Sequence, residues 1–224
     1  MLVEEFIDLL KEEFKMNADV VIAKQQKAYM KDKFAFFGLK APVRRSLQKP
    51  FLNKKYLPPK NEMPSYVKSL LALPQREFHH VAQELAEKYV KQQKIEDIAL
   101  YEYMICKNSW WDSVDYIATK LVAPYFLKFP AQQQVYVDKW LASGHLWLQR
   151  TAVIFQLQYK EKTDTQLLSY AINNLLGSKE FFINKAIGWA LRNYSRTNAR
   201  WVVDFVNATP NLHSLSRREA LRLL

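Results

Sequence analysis

The chain has little of what most enzymes display openly. It holds one cysteine, Cys106, four histidines and four glycines in 224 residues. A lone cysteine excludes an intramolecular disulfide, and two adjacent histidines (His79, His80) with two isolated ones offer no metal-ligand spacing, so neither a metal nor a cofactor is expected. No apolar run reaches the roughly eighteen residues that a spanning helix requires. The opening segment, MLVEEFIDLLKEEF, carries acids where a secretion signal carries bases. These absences predict a cytoplasmic chain with no membrane partner. Acids are also in deficit: twenty-two Asp and Glu face thirty-three Lys and Arg, a net charge of +11 that calls for a polyanionic partner such as nucleic acid. No stretch alternates as a strand does.

What is present is helical periodicity. In residues 76 to 91, Phe78, Val81, Leu85 and Tyr89 fall on one helical face. Breaks are expected at Pro42, Pro58 and Pro59, Pro74, Pro124, Pro130, Gly144, Gly177 and Pro210, cutting the chain into roughly a dozen helices. W-x-x-R occurs at Trp147 to Arg150 and again at Trp189 to Arg192, 42 residues on, a spacing that suits two-helix units. The expectation is all-α: a HEAT-like helical-repeat solenoid with a concave basic surface, in a single domain over 1–224. The linker-like stretch 55 to 64 is too short to separate two domains.

Between Lys24 and Lys60 the bases are residues 24, 27, 31, 33, 40, 44, 45, 49, 54, 55 and 60, against one acid, Asp32. Aromatic residues interleave them. Phosphate neutralisation by such residues supplies sequence-independent affinity for DNA, and Lys40, Arg44 and Arg45 are assigned to it. A solvated basic face is the alternative for each residue taken singly. In 178 to 196, Ile183, Ile187, Ala190, Leu191 and Tyr194 make a core stripe, while Lys185, Trp189, Arg192 and Arg196 make a second. A tryptophan among three cations is read as facing a ligand, with plain cation-π stacking as the other explanation. Arg150 shares a mostly apolar face with Trp147, Ile154 and Leu157, so it needs an anion, either a structural carboxylate or a phosphate.

The segment Ser109-Trp110-Trp111-Asp112-Ser113-Val114-Asp115 is the least ordinary. Ser109 and Asp112 have capping-box spacing, which makes Asp112 structural. Trp110, Val114, Ile117 and Leu121 form an apolar face. Trp111 and Asp115, four apart on an adjacent face, present an indole beside a carboxylate, an arrangement that favours a cation. Cleavage of a glycosidic bond passes through an oxocarbenium-like transition state that such a pair can stabilise. An aspartate on a helix surface serves equally as an ordinary solvated charge.

With these residues in view, the sequence resembles the AlkD family of HEAT-like-repeat DNA glycosylases from about Phe6 to Arg222. The stretches that carry the resemblance are SWWDSVD (109 to 115), WLQRTAVIFQLQYK (147 to 160), KEFFINKAIGWALR (179 to 192), FFGLKAPVRR (36 to 45) and LSRREA (215 to 220). The resemblance implies hydrolytic removal of cationic N3- and N7-alkylated purines, such as 7-methylguanine and 3-methyladenine, from double-stranded DNA without base flipping. It implies that Asp115 is the catalytic aspartate and that Trp111 and Trp189 flank the lesion. Arg150 is then the cleft arginine, and Tyr29 lies near the opposite strand. Lys40 and Gln158 depart from the family pattern, where a glutamine and a basic residue can stand. The enzyme would be a monofunctional monomer of the bacterial cytoplasm, at the nucleoid when acting. A noncatalytic HEAT-like-repeat DNA-binding paralogue, a scaffold for an acidic protein and a lysine-based lyase are the alternatives.

Overall fold

The computed structural model describes residues 2–224. All regular structure is helical apart from one isolated bridge between Ala35 and Gln75, and no strand forms among the described residues. The protein has the all-α, helical-repeat architecture expected. It divides into two compact units, one ending at Lys94 and the other spanning Ile95–Leu224.

The first unit contains α1 (Val3–Met16), α2 (Val20–Tyr29), α3 (Ala41–Gln48), α4 (Met63–Ala72) and α5 (Arg76–Glu87). Phe6, Leu10 and Phe14 recur every fourth residue, so α1 turns one stripe inward, and all three are fully buried. Phe6 packs edge-on against Tyr66 of α4 and Phe14 stacks on Phe78 of α5, and Met63, Val67, Leu70, Val81 and Leu85 are buried with them, each large side chain contributing on the order of 1.5–3 kcal/mol by leaving water. The face expected of 76 to 91 is this buried one. Helix α2 places no residue in the core and is held by polar contacts, among them Gln26 donating to the carbonyl of Leu39 at 3.2 Å. At its start the Asp19 carboxylate accepts from the amides of Val21 and Ile22. Gly38, at φ +91°, lies so close to α2 that a Cβ would come within 2.0 Å of the Asp19 carbonyl oxygen, so only glycine fits. The amides of Phe37, Gly38 and Leu39 all donate to Glu77 Oε1, which pins the segment leading into α3.

The second unit contains α6 (Asp97–Cys106), α7 (Trp111–Ile117), α8 (Ala123–Lys128), α9 (Ala131–Ala142), α10 (Leu146–Ile154), α11 (Thr165–Asn174), α12 (Phe181–Ser195), α13 (Ala199–Ala208) and α14 (Ser214–Ala220). Its core is aromatic: Trp140, Tyr125, Phe126 and Phe155 are fully buried. The Trp140 indole donates to Glu102 Oε1 at 2.6 Å, and the Tyr125 hydroxyl, its pKa pushed up to about 12 by burial, donates to the carbonyl of Ile95.

One expected break turns out to be a continuation. Pro42 opens α3, in a first turn where a missing N–H costs no helical bond, whereas Pro124 lies within an unbroken helical run. A π-helical segment, Ala118–Val122, joins α7 to α8 without a loop and absorbs the proline's missing donor.

Candidate active site

Helix α7 turns Val114 and Ile117 into the core, and the helical period then sets Asp115 at the edge of that buried face. The Asp115 side chain retains 17% of its exposure, while that of Arg150 on α10 retains 4%. The two meet in a two-pronged ion pair: Arg150 Nε donates to Oδ1 at 2.7 Å and Nη2 to Oδ2 at 2.8 Å. The remaining guanidinium nitrogen, Nη1, donates to the carbonyl of Phe182 at 2.6 Å. The anion that buried Arg150 requires is therefore supplied by a carboxylate of this chain. Behind the pair stand Trp110, Trp147 and Phe182, with ring centroids 5.0 to 5.6 Å apart.

This setting acts on the proton affinity of Asp115. Burial raises its pKa above the ordinary aspartate value, the hydrogen bonds and charge of Arg150 oppose that, and nearby Asp112 adds to the rise. Burial prevails, so the carboxylate is a more basic anion than one in water.

Asp115 opens into a cleft of about 830 Å³ within the second unit. Trp189, Asn193 and Arg196 of the α12 region line it, together with Asp112, Thr119, Gln158 and Lys160. Asp115, Arg150 and Trp189 are thus brought together. Trp111, half-buried in the first turn of α7, is not among the residues lining this cleft.

Three expectations need correction. Ser109 does not cap α7: its hydroxyl donates back to the carbonyl of Ile105, and Trp110 takes the cap position. Asp112 occupies the first helical turn, where the helix dipole favours an anion, and faces the cleft rather than closing a capping box. Two of the three cations around Trp189 are paired within the protein. Lys185 Nζ lies 2.8 Å from Glu219 Oε1 of α14 and Arg192 Nη1 lies 2.5 Å from Oε2, which leaves Arg196 as the exposed cation of the stripe. In the first unit, Arg44 is 4% exposed and bound to Glu84 and Gln48, so its charge serves the fold. Arg45, Lys40 and Tyr29 are exposed on the surface of that unit. The two W-x-x-R occurrences share an arginine that holds a carboxylate from another helix, but Trp147 is buried where Trp189 lines the cleft.

Sequence reasoning overlooked Glu219, the buried acid at the centre of the second clamp. Its signal was Gly188, since a glycine inside a helix marks a close approach. A Cβ at Gly188 would fall 2.5 Å from the Cβ of Glu219.

The family model for DNA alkylation repair enzymes matches residues 10–224. Among solved structures, a predicted DNA alkylation repair enzyme from Enterococcus faecalis superposes with a TM-score of 0.86 at 32% identity, over 92% of this chain and 96% of that one. No curated protein matches the sequence. The match spans both units and includes every residue of the cleft, and the chain belongs to the DNA alkylation repair enzyme family.

Proposed function

We propose that the protein is a monofunctional DNA glycosylase that hydrolyses the N-glycosidic bond of cationic N3- and N7-alkylpurines in duplex DNA without extruding the base. The observation that carries this reading is Asp115: a carboxylate shielded from water, oriented at both oxygens by Arg150, and open on one side to a tryptophan-lined cleft. An alkylated purine with a positive ring leaves as a neutral molecule and needs no acid to protonate it. What the reaction requires is a fixed negative charge near the deoxyribose as it becomes an oxocarbenium ion. At about 4 Å and an effective dielectric of 20 that charge is worth on the order of 4 kcal/mol, or roughly a thousandfold in rate. Water then adds to the anomeric carbon, and the proton it loses passes to Asp115 or solvent. Trp189 contacts the sugar-phosphate backbone of the damaged nucleotide, and Trp111 does so from outside the cleft. Exposed Tyr29, Lys40, Arg45 and Arg196 meet the duplex, while Arg44 and Arg150 hold carboxylates of the protein itself.

The competing reading is a noncatalytic DNA-binding paralogue, and one observation favours it: both oxygens of Asp115 are already engaged by Arg150. Release of free 7-methylguanine from methylated duplex DNA separates the two. The glycosylase reading expects release by the wild type and a loss of about a thousandfold in Asp115→Asn. Salt-sensitive binding with no base released, or undiminished release by the variant, overturns it.

A further inference from the structure

Helix α12 carries Trp189 between two cations, Lys185 four residues before it and Arg192 three residues after. Both pair with one acid. Glu219 Oε1 takes Lys185 Nζ at 2.8 Å, and Oε2 takes Arg192 Nη1 at 2.5 Å, so the two oxygens of one carboxylate straddle the helical turn on which the indole stands. The Glu219 side chain is only 9% exposed, whereas those of Lys185 and Arg192 are 37% and 22% exposed. A second contact from α14 reinforces the clamp. Ser216 donates its hydroxyl to the carbonyl of Asn184 at 2.8 Å, and Gly188 leaves room for Glu219 immediately before Trp189 in the chain.

Such a clamp has two consequences. One carboxylate is shared by two cations that could each meet a phosphate, so a phosphate would have to compete with Glu219 for them. The turn bearing Trp189 is also tied at both ends to a second helix, which restricts where the indole can stand. Lys185 and Arg192 together hold the carboxyl of Glu219 below the usual carboxylate range, with the Lys185 hydrogen bond the largest cause, so the clamp stays closed at neutral pH.

We infer that Glu219 is a positioning residue of this site: it withholds Lys185 and Arg192 from DNA and fixes the turn of α12 that presents Trp189 to the cleft. The inference about positioning rests on the glycosylase reading, whereas the withholding of the two cations does not. A merely structural acid would weaken DNA affinity and base release together when removed. A masking acid should separate them.

The test uses the full chain, a duplex of unmodified DNA for affinity, and a methylated duplex for single-turnover release of 7-methylguanine. In Glu219→Gln the plot of log affinity against log salt should steepen by between about one and two, because up to two cations become available to phosphates. The single-turnover rate should fall about tenfold while affinity rises, and Glu219→Asp should recover part of the rate. Lys185→Gln, at a partly exposed position that puts the fold at little risk, should leave the salt slope unchanged. A slope reduced by about one in Lys185→Gln shows that Lys185 already contacts DNA and overturns the inference, as does an unchanged slope in Glu219→Gln. If the wild type releases no base, the glycosylase reading fails, and the slopes on unmodified duplex still decide whether Glu219 masks the two cations.

Discussion

Glu84 in the first unit and Asp115 in the second are carboxylates with nearly equal side-chain exposures of 14% and 17%, and each is held by an arginine that is 4% exposed. Their proton affinities nevertheless move in opposite directions. At Glu84 burial pushes the pKa up, but Arg44 at 2.7 Å and Arg45 at 3.3 Å overcome it and hold the group below its ordinary value, and Gln48 donates to the second oxygen. At Asp115 a single arginine and a neighbouring acid leave burial in command, and the value is raised. Glu219, with two cations, behaves as Glu84 does. Two opposing causes set the outcome: Glu84 and Glu219 each face more than one cation in a shallower setting, whereas Asp115 has one arginine against a heavier cost of burial and still attracts positive charge. Of the three, Asp115 is the one left under-neutralised, and it faces the cleft.

The largest expected effect comes from removing the single cation. Arg150→Met leaves Asp115 buried without its counter-charge, and equilibrium unfolding in denaturant should show a loss of roughly 3–5 kcal/mol. Arg45→Ala removes one of two cations from Glu84, and because the Arg45 side chain is 61% exposed its loss should cost at most about 1 kcal/mol. Similar losses in the two variants would abolish the distinction between the carboxylates.

The glycine beside the third carboxylate gives an intermediate effect. Gly188→Ala puts a methyl group 2.5 Å from the Glu219 Cβ and 3.0 Å from the Ser216 carbonyl oxygen. Helix propensity alone favours alanine by about 1 kcal/mol, but forcing α14 away from α12 should cost roughly 1–3 kcal/mol, so the net change is a lowered unfolding midpoint. A raised midpoint would show that α14 yields freely and that the Glu219 clamp is looser than the geometry implies.

Helix phase made much of this legible before any coordinates. Phe78, Val81, Leu85 and Tyr89 are spaced as a core face and are one, and Asp115 and Trp189 lie off the core stripes of their helices and do face the cleft. What phase cannot reveal is which distant residue a buried charge chooses. Arg150 plainly needed an anion, yet its partner lies 35 residues away on another helix, and only tertiary packing decides between an internal carboxylate and a phosphate. The same limit concealed Glu219, which is 27 residues from Arg192. Ser109 failed as a cap for a local reason: its hydroxyl can donate to the last carbonyls of α6 as readily as accept from the amides of α7. Pro124 fails to break its helix because the π-helical segment before it absorbs the missing N–H, an adjustment that no local pattern announces.

The smallest effect is also the most selective, because it separates Asp115 from the other two acids by sign. Glu84 and Glu219 have folded pKa values below the unfolded one, so their contribution is present above the ordinary glutamate value of about 4.3 and is lost as pH falls through their depressed values. Asp115 works the other way. Its folded value is raised, so its contribution is full below the ordinary aspartate value of about 3.9 and is lost as pH rises through the folded value. The stability of the wild type relative to Asp115→Asn should therefore decline as pH rises through that window, and a relative stability that increases would mean Arg150 has over-compensated Asp115. Catalysis should show the same group with the opposite benefit. Since the anion is the working form, base release should climb with pH along a limb lying above about 3.9, and Arg45→Ala should leave that limb in place.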